Sequence, residues 1–148
     1  MEPLRLARAL AVVDIAAAGA ATGLAQWAYD LPTRRRRLAA QVGLGLVFGG
    51  AVAASDAVWR RATADRARPV DPDVVPAHET ALALRHLGLS AAGIPVWVLG
   101  RGLPERMRRR GLTRPNRLLA LPVALGWAAA AAPVEWAHAR DRAAALDL

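Results

Sequence analysis

Apolar residues are gathered into four stretches, and polar segments rich in arginine separate them. Each stretch is roughly twenty residues long, and a helix of that length rises about 30 Å, the thickness of the hydrocarbon core of a bilayer. The stretches cover approximately 9–29, 38–59, 80–100 and 118–137. The pattern predicts an all-α integral membrane protein. We expect one domain, 1–148, in which four transmembrane helices run up and down as a bundle, followed by a short polar C-terminal tail.

Aromatic residues fit this interpretation, because Trp and Tyr prefer the membrane–water interface. Trp27 and Tyr29 end the first stretch, and Trp59 ends the second. Trp97 lies near the end of the third stretch, and Trp136 ends the fourth. Their placement predicts the level at which each helix leaves the membrane.

The polar connections differ in character. The first, 30–37, is short, and the third, 101–117, contains a segment at 105–110 that predicts a short amphipathic helix on the lipid surface. The second is the longest, and its prolines and aspartates predict an extended surface loop. These residues are Pro69, Asp71, Pro72, Asp73 and Pro76.

Small residues spaced four apart predict close contacts between the helices, because backbone approach is the main packing gain inside a lipid. The first stretch has Gly19 and Gly23, and the second has Gly45 and Gly49. Such spacings arise easily in a chain rich in alanine and glycine. They therefore do not identify which helices meet.

The charge and the arginine content indicate which class of partner the protein contacts. The net charge is +8, and all 20 basic residues are arginine, which together with the abundant alanine is typical of a GC-rich bacterial genome. The arginines lie at the ends of the apolar stretches, where the anionic head groups of a lipid bilayer are the expected partner. No recognition-helix pattern or aromatic interleaving indicates nucleic acid. The chain has no cysteine, which excludes disulfides, thiolate nucleophiles and cysteine metal ligands.

The distribution of arginines also predicts an orientation in the cell membrane. Eleven arginines lie in the first and third connections, and eight lie near the termini and in the second connection. Positive charge is retained on the cytoplasmic side. We therefore expect both termini outside.

Seven ionisable residues lie within or at the ends of the apolar stretches. An ionisable group at the centre of a membrane helix costs about 2.5–3.5 kcal/mol on insertion scales, so it usually faces a partner or water. In an up-and-down bundle all seven lie toward the face that carries the termini. They form a candidate intramembrane polar cluster: Asp14, Asp56, Glu79, Arg85, His86, Glu135 and His138.

Asp14 and Arg85 reach a similar depth, and we predict that they pair, because either charge alone would be uncompensated. A salt bridge that sets helix register is one role for Asp14. The alternative is a carboxylate that binds a proton or cation. In that respect Asp14 is similar to the membrane-embedded acid in the first helix of the small multidrug resistance transporters, although the likeness covers one acid in one span.

The third stretch carries Glu79, His86 and Gly93 at seven-residue spacing, which predicts a stripe facing the bundle. Glu135 and His138 are three residues apart, a spacing used by helical carboxylate metal sites. His86, Glu135 and His138 are thus weak candidate ligands for a divalent metal. A polar helix end beside Trp136 is the more ordinary explanation, and we predict no metal site.

No phosphate-binding loop, nucleophile elbow or zinc-protease helix is present, so we predict no cofactor and favour a protein that is not an enzyme. The leading hypothesis is an interaction or accessory subunit of the membrane, in contact with a membrane protein partner or a second copy. One alternative is a small oligomeric transporter that uses Asp14 and neighbouring charges. Another is a membrane enzyme that acts on a lipid or quinone at the terminus-bearing face.

Overall fold

The computed structural model describes residues 2–66 and 77–146, and nearly all of them are helical. No strand occurs in these two ranges, so the prediction of an all-α protein is confirmed. The helices are α1 (Pro3–Ala28), α2 (Arg34–Thr63), α3 (Ala77–Gly100), α4 (Leu103–Arg109) and α5 (Pro115–Ala144).

Three of these helices, α1, α2 and α5, are long and apolar enough to cross a membrane. The sequence predicted four such helices, but α3, judged on its described residues, is not among those that meet this measure. Large apolar side chains lie on the outside of the fold, and Leu46 of α2 is 73% exposed. Contiguous apolar surface of this kind suits lipid better than water.

Helix boundaries extend past the apolar stretches. Thr33 accepts a hydrogen bond from the backbone N–H of Arg36 at 3.2 Å, so α2 starts within the arginine run. α5 continues to Ala144, and most of the predicted polar tail is therefore helical. α4 occupies the place of the short helix predicted at 105–110. The prolines and aspartates of the predicted surface loop lie outside the described residues.

The main packing contact joins α1 and α5, which are antiparallel. A Cβ on Gly23 would lie 2.7 Å from the carbonyl oxygen of Ala120, and a Cβ on Gly19 would lie 2.9 Å from that of Ala124. Only glycine allows the two backbones to come this close. By contrast, no atom lies within 4 Å of a Cβ built on Gly49. Of the two predicted glycine pairs, the one on α1 makes the close contact.

The long helices are arranged in the order α2, α1, α5, α3. α2 packs against α1, and α3 packs against α5, whereas the described parts of α2 and α3 share no comparable contact. Of the three helices that are long and apolar enough to cross a membrane, α2 is the most open. The two outer helices therefore each present one broad face away from the protein.

A small core lies at the end of the fold that carries the termini. Leu6, Ala7 and Ala11 of α1 pack there against Trp59 of α2 and Ala139 of α5. The sequence predicted Trp59 at the lipid interface, but its ring is buried. The ring contacts protein, because it packs against residues of α1 and α5.

Candidate functional site

The charged side chains near the terminus-bearing end come from all four long helices and form one polar cluster. Its contacts join six of the predicted residues, Asp14, Asp56, Glu79, Arg85, His86 and Glu135, to three that the sequence did not single out as members, Ser55, Asp141 and Arg142. Ion pairs and hydrogen bonds hold it together. The sequence had placed Asp141 and Arg142 in the tail, but the extension of α5 brings them into the cluster.

Arg142 is the centre of the polar cluster. Its guanidinium forms an ion pair with Asp56 of α2 and lies 3.8 Å from Oε1 of Glu79 of α3. It also stacks over the ring of Trp59, 5.3 Å from the ring centroid. The Arg142 side chain is only 9% exposed. Since both carboxylates converge on this buried cation, Arg142 connects α5 to both outer helices.

Asp56 has a second cationic partner. Its Oδ2 lies 2.6 Å from Nη1 of Arg60, one turn further along α2. Arg60 is largely exposed, so this ion pair is a surface feature, unlike the pair with Arg142. The Asp56 carboxylate therefore pairs with one buried arginine and one exposed arginine.

Asp14 accepts a hydrogen bond at Oδ2 from the hydroxyl of Ser55, at 3.1 Å. Its other oxygen, Oδ1, is buried and has no hydrogen-bond partner among the residues that the structure describes. Arg85, its predicted partner, instead pairs with Asp141 at 2.6 Å. The prediction of an Asp14–Arg85 pair is therefore wrong. The physical reason is the helix order, because α5 lies between α1 and α3.

His86 and Glu135 form another contact of the polar cluster, between α3 and α5. Nε2 of His86 lies 2.9 Å from Oε1 of Glu135, whose side chain is 10% exposed. The predicted stripe on α3 does face α5: Glu79 approaches Arg142, His86 meets Glu135, and a Cβ on Gly93 would lie 3.4 Å from the Trp127 ring.

The weak metal candidates are not gathered into a ligand set. His138 is buried one turn from Glu135 on α5. Within 2–66 and 77–146, no three His, Asp or Glu side chains are grouped so that they could hold a metal ion. The chemistry of the polar cluster is that of ion pairs and hydrogen bonds between helices.

Two open clefts lie outside the polar cluster. One is lined by Arg8, Pro133, Trp136 and Arg140. The other borders Arg140 as well, and its further lining residues are Glu2, Pro3, Leu4, Ala143 and Ala144. Neither cleft reaches the charged groups that join the helices.

A second polar network, at the opposite end of α1, was missed by the sequence analysis. The Asp30 side chain is 3% exposed and accepts hydrogen bonds from Nδ2 of Asn116 at 2.7 Å and from the backbone N–H of Arg117 at 3.0 Å. Gln26 in turn donates to Oδ1 of Asn116 at 2.8 Å, and Arg108 lies 3.5 Å from Asp30. We call this group the basic-end network.

One signal for the basic-end network was present in the sequence. α5 starts at Pro115 after Arg114, which makes no side-chain cap, so the first N–H groups of the helix need an acceptor from elsewhere. A carboxylate suits that position because it also complements the positive end of the helix dipole. Asp30 supplies it, because it follows the end of α1 by two residues and the antiparallel α5 starts beside that end.

No protein-family model, curated protein or solved structure matches this chain.

Proposed function

We propose that the chain is a small multi-pass membrane protein that acts as an interaction or accessory subunit. The observation that carries this proposal is that the charged side chains of the polar cluster pair with one another. Arg142 is shared by Asp56 and Glu79, and Arg85 and His86 each have a carboxylate on α5. Catalytic and transport sites need polar groups that converge on a cleft, whereas these converge on each other.

We further propose that α3 is a fourth membrane-crossing helix. Its 24 residues give a length of about 36 Å, enough for a hydrocarbon core of about 30 Å. The connection that follows α3 supports this, since its Arg108 contacts Asp30, which follows α1. The end of the fold with the basic-end network carries more of the arginines. It is therefore assigned to the cytoplasmic side, with both termini outside the cell membrane.

The partner surface in this proposal is the outer face of α2. Leu46 and Val47 are the most exposed large apolar residues of this helix. Gly45 and Gly49 have open space around them, which allows another helix to approach closely. The occupant is a membrane helix of a different protein or of a second copy.

Site-specific photo-crosslinking in native membranes tests this assignment. A benzophenone amino acid in place of Leu46 is expected to give one discrete protein adduct of defined mass. The same group in place of Leu125, an exposed position on α5, serves as the matched control and is expected to give lipid adducts. Lipid adducts alone from both positions would remove the accessory-subunit proposal, and the adduct mass separates a second copy from another protein.

A transporter is a second candidate, favoured by Oδ1 of Asp14, which is buried and has no hydrogen-bond partner within 2–66 and 77–146. Such an oxygen is suited to holding a proton or a cation within an oligomer. Proton flux into vesicles that is lost with Asp14→Asn and kept with Asp65→Asn, an exposed aspartate, would support it. Flux that survives Asp14→Asn removes the transporter proposal.

The membrane-enzyme hypothesis, with Glu79, His86, Glu135 and His138 acting on a lipid or quinone, has no comparable observation in its favour.

A further inference from the structure

An open groove of about 460 Å³ lies between α1 and α5 near the terminus-bearing end of the fold. Arg8 comes from α1, and Pro133, Trp136 and Arg140 come from α5. The volume falls in the range of about 300–1,000 Å³ that is usual for small ligands. No residue of the polar cluster lines it, so the groove is separate from that site.

Two arginines converge on this groove without a counter-charge. Arg8 and Arg140 are exposed, and neither forms an ion pair with an acid in the part of the chain that the structure describes, whereas Arg142, two residues further on, has two carboxylates. Glu2 borders the neighbouring groove, but its carboxylate lies 3.1 Å from Arg5. Two unneutralised guanidiniums at one groove favour an anion, and guanidinium geometry suits phosphate in particular.

The groove also has an apolar side. Pro133, Trp136 and Arg140 share one face of α5, and Val12, which is 53% exposed, lies one turn beyond Arg8 on α1. The charged residues are nearer the helix ends, and the apolar residues are nearer the middle. Trp136 therefore lies at the level where an aromatic ring meets the head groups.

We propose that this groove binds an anionic glycerophospholipid. The head-group phosphate lies between Arg8 and Arg140, and the upper part of an acyl chain follows Trp136 and Pro133. Free phosphate has the same head-group chemistry but cannot use the apolar side. The proposal requires α1 and α5 to lie in a bilayer, and it is independent of any partner protein on α2.

Native mass spectrometry of the full chain released from detergent tests the site. The probes are phosphatidylglycerol and phosphatidylcholine, and the variant carries Arg8→Gln with Arg140→Gln. The matched control carries Arg61→Gln with Arg66→Gln, which removes two exposed charges, one from the last turn of α2 and one from the turn that follows it. We expect the double variant to lose about tenfold in affinity for phosphatidylglycerol, because each arginine near a membrane surface adds attraction to an anionic lipid. The control is expected to bind like the original chain.

Three results would overturn the proposal. The first is that the double variant binds phosphatidylglycerol as tightly as the original chain does. The second is that the original chain binds phosphatidylcholine as tightly as phosphatidylglycerol. The third is that the control loses as much affinity as the double variant. Millimolar inorganic phosphate is added as a competitor. Its failure to displace the lipid is expected, and displacement would reassign the groove to free phosphate.

Tryptophan fluorescence gives a second measurement that does not need the double variant to fold. Phosphatidylglycerol brominated on its acyl chain is expected to quench part of the emission of the original chain, and that part is expected to disappear with Trp136→Phe. Equal quenching of the two proteins would contradict the proposal. Trp127→Phe, which changes the tryptophan facing Gly93 on α3, is the control that retains the quenched component.

Discussion

Arg142 of α5 and Asp56 of α2 form an ion pair across the first helix of the chain, between two helices that are not neighbours in the packing order. The same guanidinium approaches Glu79 of α3. One buried cation thus holds both outer helices at a single end of the fold. Elsewhere α2 has mainly its packing against α1, and α3 its packing against α5.

Replacement of Arg142 by alanine is expected to destabilise the protein by about 2–3 kcal/mol. Loss of the buried cation removes one ionic partner from each of two carboxylates, and the cost is moderate because Asp56 keeps Arg60 and is partly exposed. Arg60→Ala is the matched control, because it removes the other partner of the same carboxylate. Since Arg60 is exposed, its loss is expected to cost less than about 1 kcal/mol. Reversible unfolding in mixed micelles measures both, and equal effects would mean that Arg142 is not the central contact.

Gly23→Ala is expected to destabilise the α1–α5 contact by about 1–3 kcal/mol, the usual cost of overpacking. Its Cβ would meet a backbone oxygen, which cannot move without separating the helices. Gly49→Ala places the same methyl group in open space and is expected to be neutral or to stabilise its helix by up to about 1 kcal/mol. The same unfolding assay compares them, and a larger loss for Gly49→Ala would contradict the packing described here.

Asp30→Ala is expected to cost about 2 kcal/mol, because it leaves the buried amide of Asn116 and the N–H of Arg117 without their acceptor. A double-mutant cycle with Asn116→Ala is expected to give a coupling energy of about 1 kcal/mol or more. Asp65→Ala, at an exposed position, is the control and is expected to change stability by less than about 0.5 kcal/mol. Additive effects of the first two changes would show that the basic-end network does not act as a unit.

Cysteine labelling tests both the crossing and the orientation, since the chain has no cysteine of its own. Leu46→Cys is expected to resist a membrane-impermeant maleimide in intact cells and in lysed cells, despite its high exposure in the protein, because lipid covers it. Asp65→Cys is expected to react from outside, and Thr113→Cys only after lysis. Labelling of Leu46→Cys without detergent would exclude a membrane position for α2. Reaction of Thr113→Cys from outside, with Asp65→Cys reacting only after lysis, would show the opposite orientation.

The same method tests the fourth crossing. Leu87 of α3 is as exposed in the protein as the outer residues of α5. Leu87→Cys is therefore expected to be protected from the maleimide by lipid and to react once detergent dissolves the membrane. Reaction of Leu87→Cys in intact or lysed cells, with Leu46→Cys still protected, would leave α3 outside the membrane and the protein with three crossings.

Depth along a helix was readable from the sequence, but the neighbours of each helix were not. The predicted Asp14–Arg85 pair had matching depths, yet α5 separates the two helices, and each residue found a partner on an adjacent one. The stripe at Glu79, His86 and Gly93 was predictable because its members share a helix face whatever that face meets. Gly23 and Gly49 had equivalent spacing, and only the packing order distinguishes them.

The principal contact of the fold also has a consequence for biosynthesis. Gln26 and Asn116 are separated by 90 residues, and Asp14 lies even further from the α5 residues of its cluster. On the ribosome, α1 is therefore complete and exposed to the translocon long before α5 emerges. During that interval the Asp14 carboxylate and the Gln26 amide must find hydrogen-bond partners in water, in α2 or in the insertion machinery. Assembly of the closest helix pair is for this reason a late event in the maturation of the protein, and a stalled intermediate would display the bare glycine face of α1.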